Sequence, residues 1–208
     1  MFDRMILPAQ QRLLAPPARA LRGTGISADQ VTLAGLAVAV AALPVLAAGA
    51  FGWALVLILL NRLLDGLDGA IARIDGPTER GAFADIAFDF VFYALVPLGF
   101  ALADPSRNAL PAAILIAAFV GTGSSFLAFA TIAARRGLVS VDYPSKGIYY
   151  LGGLTEGGET ILFFVLCCLW PTAFPAFAGI FAGLCLVTTV LRWHRGWTAF
   201  SNSRNPAE

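Results

Sequence analysis

Charge is what this chain has least of. Of its 208 residues only 13% are Asp, Glu, Lys or Arg, 58% are hydrophobic, and the mean hydropathy is +0.77. Soluble domains average about 25% charged residues, so the composition excludes one and points to a polytopic membrane protein. Basic runs and aromatic platforms are missing as well, and with a net charge of +1 nucleic acid is not expected as a partner. Cysteine is scarce: Cys167, Cys168 and Cys185 sit in apolar runs without metal-ligand spacing and read as small core hydrophobes. The single histidine, His194, stands between Trp193 and Arg195 and reads as an interfacial residue. There is no internal repeat and no low-complexity segment. The opening residues reach neither a long apolar core nor a small-residue cleavage site before Pro16 and Pro17, and so do not read as a signal peptide.

What is present falls into apolar runs separated by short polar joints. Residues 1–24 mix Leu13 and Leu14 with Arg4, Arg12, Arg19 and Arg22, a basic amphipathic composition suited to a helix in the headgroup layer. Its prolines predict a break into two pieces. Ser27-Ala28-Asp29 supplies an N-cap for a first span over about 30–50, long enough for a hydrocarbon core of about 30 Å. Further spans are expected at about 53–74, 81–103, 108–134, 156–171 and 174–192, six in all. The second and third are joined by the seven residues 74–80, which predicts an antiparallel hairpin. Twelve of the 14 Lys and Arg then fall on one side of the membrane, which by the positive-inside rule is the cytoplasm. Both termini and the hairpin belong on that side.

Against this background the two spans of the hairpin carry four carboxylates, Asp65, Asp68, Asp85 and Asp89, within 25 residues, with Asp75 and Glu79 in the joint between them. An Asp at the centre of a membrane helix costs roughly 2.5–3.5 kcal/mol, so a quartet demands a compensating partner. At 100° per residue Asn61, Arg62, Asp65, Asp68, Gly69, Ala72 and Arg73 share an arc of about 140°, while Gly81, Asp85 and Asp89 lie within about 80° of one another. Two acidic stripes are thus expected to face each other. Oxygen ligands with no His or Cys nearby favour Mg2+, Mn2+ or Ca2+ over zinc. Gly69, Ala72 and Gly81 clear side chains from the same face, and Arg73 suits a phosphate. The combination describes a site for a pyrophosphate that carries a lipid. An ion-pair network with Arg62, Arg73 and Arg80 is the plainer alternative, and Arg62 itself is expected as a counter-charge for Asp65 or Asp68.

The stretch Asp65-Gly-Leu-Asp68-Gly69-Ala-Ile-Ala72-Arg73, then seven residues, then Gly81-Ala-Phe-Ala-Asp85-Ile-Ala-Phe-Asp89, resembles the signature of the CDP-alcohol phosphotransferase (CDP-alcohol phosphatidyltransferase) family at every fixed position. The resemblance implies an all-α membrane enzyme of six transmembrane helices preceded by an interfacial amphipathic helix. It implies transfer of a phospho-alcohol, usually phosphatidyl, from a CDP-alcohol such as CDP-diacylglycerol to an acceptor alcohol, with release of CMP. By position, Asp65, Asp68 and Asp85 look like ligands of one or two Mg2+ or Mn2+ ions, and Asp89 like the general base and a further metal ligand. Gly69, Ala72, Arg73 and Gly81 look like the CDP pocket. Where many members have Thr-Pro-Asn, this chain has Ser27-Ala28-Asp29, with Asp29 and Thr32 as the nucleotide-side candidates. A homodimer is implied too.

The motif does not name the acceptor. Arg135, Arg136 and Lys146 suit an acceptor phosphate or simple positive-inside anchoring. Glu156 and Glu159 suit a helix cap or an acceptor contact. The expected organisation is an interfacial segment at 1–24, a catalytic unit at 25–197 and a polar tail at 198–208, in a bacterial inner membrane with the site facing the cytoplasm. The rival classes are an inactive family member and a cation-binding transport protein. An Asp-rich prenyltransferase would need more spans and a second acidic motif downstream.

Overall fold

A computed structural model of the chain describes residues 3–137 and 153–201. Seven α-helices and one 3-10 turn make up these residues, with no strand among them. They are α1 (Asp3–Gly23), α2 (Ala28–Ala47), α3 (Phe51–Asp75), α4 (Glu79–Ala103), α5 (Pro105–Arg135), α6 (Gly157–Leu169), the turn Pro171–Ala173 and α7 (Phe174–Phe200). By length and composition, four stretches can cross a membrane: Ala28–Ala47, Glu79–Ala103, Pro105–Arg135 and Pro171–Phe200. Two of the six expected spans differ. The 25 residues of α3 include Arg62, Asp65, Asp68, Arg73 and Asp75, and the 13 residues of α6 reach only about 20 Å at 1.5 Å each.

The expected break in α1 is absent, and the helix is continuous. Leu14 and Ala18 are buried, whereas Pro16 and Pro17 are exposed. The hydrogen bonds that proline removes therefore lie on the outer face, away from the contacts that hold the helix. Those contacts are Val31 of α2 and Leu67, Ala70 and Ile71 of α3, which are the apolar residues of α3 on the side away from its acids. Ser27 caps α2 as expected, in a capping box with Gln30.

The centre of the arrangement is α2. Its buried residues Val31, Gly35, Ala39, Ala42 and Leu46 recur every three or four positions and are mostly small, forming one stripe along the helix. Both α3 and α4 pack on α2 rather than mainly on each other. The two arms of the hairpin expected from the sequence thus meet mainly through α2. Small residues on α2 let both neighbours approach it. Beyond the hairpin, α4 packs on α5 and α5 on α7, around an aromatic core in which Phe100 stacks on Phe174 and Phe163 on Phe181, each at 4.5 Å between ring centroids. Cys167, Cys168 and Cys185 are free thiols buried in this core. Bonds from the Ser106 hydroxyl and the Arg107 N–H hold the Asp104 carboxyl, the N-cap of α5, below the usual carboxylate range.

The α2–α4 contact is tight enough to test. A Cβ on Gly99 would stand 2.5 Å from Cβ of Leu46, an atom that no rotamer change moves aside. Overpacking of this kind costs about 1–3 kcal/mol. Gly99→Ala should lower the thermal midpoint of the purified protein, whereas Gly52→Ala, with nothing within 4 Å of its added methyl, should not. Equal midpoints would contradict the packing.

Candidate functional site

Three of the four motif acids converge. Asp65 and Asp68, one turn apart on α3, and Asp85 on α4 each present a carboxylate oxygen, and the three oxygens all lie within 4.8 Å of one another. Oxygens on opposite sides of a divalent ion bound at about 2.1–2.5 Å are about 4–5 Å apart, so the set fits a hard cation. It is a purely oxygen set. Exposure is graded, from buried Asp68 through half-buried Asp65 to exposed Asp85. The hydroxyl of Thr32 on α2 donates to Asp68 Oδ2 at 2.6 Å. The nucleotide-side candidate Thr32 is therefore in direct contact with a motif acid. The cleft between these groups encloses about 20 Å3, and Gly35, Leu36, Asn61, Arg62, Phe88 and Asp89 complete its lining. That is room for a water or an ion.

The fourth acid, Asp89, lines the same cleft. Asp89 accepts a 2.7 Å hydrogen bond from Nη2 of Arg62, while Nη1 of Arg62 is 3.6 Å from Asp65. The Asp65 contact is one of the two counter-charges expected for Arg62, and no Arg62–Asp68 pair is found among the described residues. Arg62 does not reach Asp68, which lies further along α3 and accepts from Thr32. Antiparallel α4 brings Asp89 and Phe92 alongside it instead. The guanidinium is fixed on two further sides. Nε and Nη2 donate to Asn61 Oδ1 at 2.9 and 2.6 Å, and the carbon between them lies 4.6 Å from the Phe92 ring centroid. Asn61 is 4% exposed, and its Nδ2 donates to the Gly35 carbonyl at 2.9 Å. Three helices thus share one polar chain through a nearly apolar interior, where an unmade hydrogen bond is expensive.

The remaining candidates are dispersed around this centre. Asp29 pairs with Arg80 at the start of α4, and its Oδ1 would stand 3.4 Å from a Cβ on Gly81. A parallel pair, Arg22 with Asp75, ties the end of α1 to the end of α3. The Arg73 guanidinium lies over Gly69, 3.5 Å from where a Cβ would be, and Ala72 is half-buried beside it. None of Arg135, Arg136, Glu156 or Glu159 lines the aspartate cleft. Arg135 is exposed at the end of α5. Arg136 reaches the carbonyls of Ala199 and Phe200 at 3.5 Å and lies over the Phe200 ring at 4.8 Å. Glu156 and Glu159 form a capping box at the start of α6, which favours the capping alternative for both. Lys146 lies outside the described residues.

By sequence Arg192 belongs with the positive-inside charges, yet it is 7% exposed and donates to the Thr122 carbonyl at 3.0 Å, tying α7 to α5. The signal for this lies in Thr188 and Thr189, a polar step on the same helix and both buried.

Comparison with known proteins converges on one family. Residues 26–194 match the family described as CDP-alcohol phosphatidyltransferase. Inner membrane protein YnjF of Escherichia coli (strain K12) is 55% identical over 197 residues, which is 95% of this chain and 96% of that protein. A crystal structure of Mycobacterium tuberculosis phosphatidylinositol phosphate synthase with CDP-DAG bound has a TM-score of 0.69 and 26% identity, over 93% of this chain and 98% of that one. The same enzyme in complex with manganese and citrate gives 0.70 and 26%, over 92% and 93%.

Proposed function

The chain belongs to the CDP-alcohol phosphatidyltransferase family, whose members are transferases of substituted phosphate groups, and from that premise we propose that it transfers a phosphatidyl group from CDP-diacylglycerol to the hydroxyl of an acceptor alcohol in phospholipid synthesis. One observation carries the reading. Asp65, Asp68 and Asp85 gather into an oxygen cluster of cation size, and Asp89 stands beside it on the same cleft. That manganese and CDP-DAG are bound in structures of a relative 26% identical supports both halves of it.

In this reading the acceptor oxygen attacks the phosphorus that bears the lipid, the bridging P–O bond breaks, and CMP leaves with the bonding electron pair. Asp89 takes the proton from the acceptor hydroxyl, a role that requires it within about 3 Å of that oxygen. Mg2+ or Mn2+ held by Asp65, Asp68 and Asp85 would supply charge neutralisation on the diphosphate and on departing CMP. Gly69, Ala72 and Gly81 leave the helix backbones open to the cytidine diphosphate. Arg73 offers a fork of donors to a phosphate, and Asp29 and Thr32 flank the nucleotide from α2. The exposed end of α5 around Arg135 is the acceptor side.

We take α2 to α7 as six spans, with α1 in the headgroup layer and the motif end facing the cytoplasm, where most of the arginines cluster. The name of YnjF supports an inner-membrane location. The chain acts as a homodimer in this reading, as the family resemblance implies. The test is CMP release. Purified protein in vesicles containing CDP-diacylglycerol and Mn2+ or Mg2+ should release CMP when the right alcohol is added from a panel of glycerol phosphate, inositol phosphate, amino alcohols and lipid hydroxyls. Folded, metal-loaded protein that releases no CMP with any of them, but passes cations across the vesicle wall, would overturn the reading in favour of transport.

A further inference from the structure

Residues 1–24 carry four arginines against a single acid, Asp3, and the structure divides the helix they form into three lengthwise strips. At 100° per residue, with Leu14 as zero, buried Ala18 lies at about 40°, exposed Arg12 and Arg19 at about 160° and 140°, and exposed Leu13, Pro17 and Ala20 between about 240° and 300°. One strip is already occupied. Leu14 and Ala18 clamp α1 on Leu67, Ala70 and Ile71 of α3, and Arg22 pairs with Asp75 at the end of that helix. The other two strips face outward, and no residue of α1 lines the aspartate cleft. We propose that they form a binding surface for anionic phospholipids, separate from the catalytic cleft, in which Arg12 and Arg19 hold headgroup phosphates while Leu13, Pro17 and Ala20 enter the acyl boundary. The inference rests on the placement of α1 in the headgroup layer and adds the class of lipid that it selects.

Geometry and charge both favour this occupant. Leu13 is 76% exposed, and an interfacial helix sinks such side chains about 5–10 Å into the boundary between headgroups and acyl chains. The basic strip stands about 100° from the apolar one. With Leu13 and Ala20 pointing into the bilayer, Arg12 and Arg19 therefore project sideways over the neighbouring headgroups. Their stems can lie along apolar surface while the charged ends reach phosphate oxygens, which the guanidinium fork fits. Among the described residues neither has an acidic partner, whereas the charges of Arg22 and Arg80 are met within the chain by Asp75 and Asp29. The helix is also continuous and clamped, so both strips are displayed at a fixed angle and binding needs little further ordering. A basic residue at an anionic surface contributes about fivefold in affinity, enough for two to select one lipid class over another.

The test uses the full chain in vesicles of equal parts phosphatidylcholine and phosphatidylglycerol. A fluorophore is attached through Ala20→Cys, the native thiols being buried in the core, and its quenching is compared when one lipid or the other carries a nitroxide near the top of its acyl chain. Phosphatidylglycerol should quench more strongly, with a relative association constant about tenfold or more above that of phosphatidylcholine. Arg12→Gln with Arg19→Gln should bring the ratio close to one, and Arg12→Lys with Arg19→Lys should keep most of it. Salt at about 1 M, where the Debye length is about 3 Å, should shrink it in every chain that shows it. Monodisperse elution and unchanged helical content establish folding of each variant. Equal quenching by the two lipids with both arginines present would overturn the proposal while leaving α1 in the headgroup layer. A preference that survives loss of both arginines would overturn it too, by moving the anionic site elsewhere. Quenching by neither lipid would place the helix in water and overturn the headgroup-layer reading with it. CMP release does not enter the measurement, so the result stands apart from the catalytic reading.

Discussion

Asp89→Asn is expected to reduce acceptor-dependent CMP release by about two to four orders of magnitude, the range a general base contributes. The amide is nearly isosteric with the carboxylate and can still accept from Nη2 of Arg62, so the change removes proton-accepting ability while disturbing the packing little. Mn2+ affinity should stay within a few-fold of the unaltered protein, because the three oxygens of Asp65, Asp68 and Asp85 remain in place. The measurement is CMP formed from CDP-diacylglycerol at saturating metal, alongside Mn2+ binding on the same preparation. A variant that retains full turnover would remove Asp89 from the proposed mechanism. A variant that loses turnover and metal together would make it a ligand instead of a base.

Asp68→Ala should be as damaging for a different reason. Asp68 is the buried member of the cluster, and its loss leaves two carboxylates, one of them exposed. Mn2+ binding should weaken by more than the roughly 10–100-fold that follows loss of a supporting hydrogen bond, and CMP release should fall to background with it. Thr32→Val isolates that supporting bond, because the hydroxyl donates to Asp68 Oδ2 at 2.6 Å. It should weaken Mn2+ by about 10–100-fold and respond to added metal, whereas Asp68→Ala should not recover at any practical concentration. Undiminished Mn2+ affinity in Asp68→Ala would place the ion elsewhere.

Both experiments act on residues that stand out in the amino-acid sequence alone, and the reason is local. A helix repeats every 3.6 residues, so Asp65 and Asp68, or Asp85 and Asp89, must share a face whatever surrounds them. The same locality makes Ser27 readable as a cap and a connection readable between α3 and α4, although the structure shortens it from residues 74–80 to 76–78. Partners distant along the chain are harder to read. Sequence proximity assigns Arg62 to the acids of its own helix. Its shortest ion pair is with Asp89, 27 residues away, because antiparallel α4 presents that residue alongside it. The expected break in α1 fails on similar grounds, since proline's penalty depends on which face of the helix is packed.

The sequence by itself determined the chemistry of this protein: a chain too apolar for water, four acids at helical spacing, small residues and an arginine beside them. Only the tertiary structure decided how those acids are divided. The small stripe Gly35, Ala39 and Ala42 on α2 draws α3 and α4 against it, and that packing gathers three carboxylates while pairing the fourth with Arg62. Periodicity along one helix is a property of the backbone and can be counted. The gap between two helices is a sum of side-chain volumes on a third, and it exists only once all three have packed.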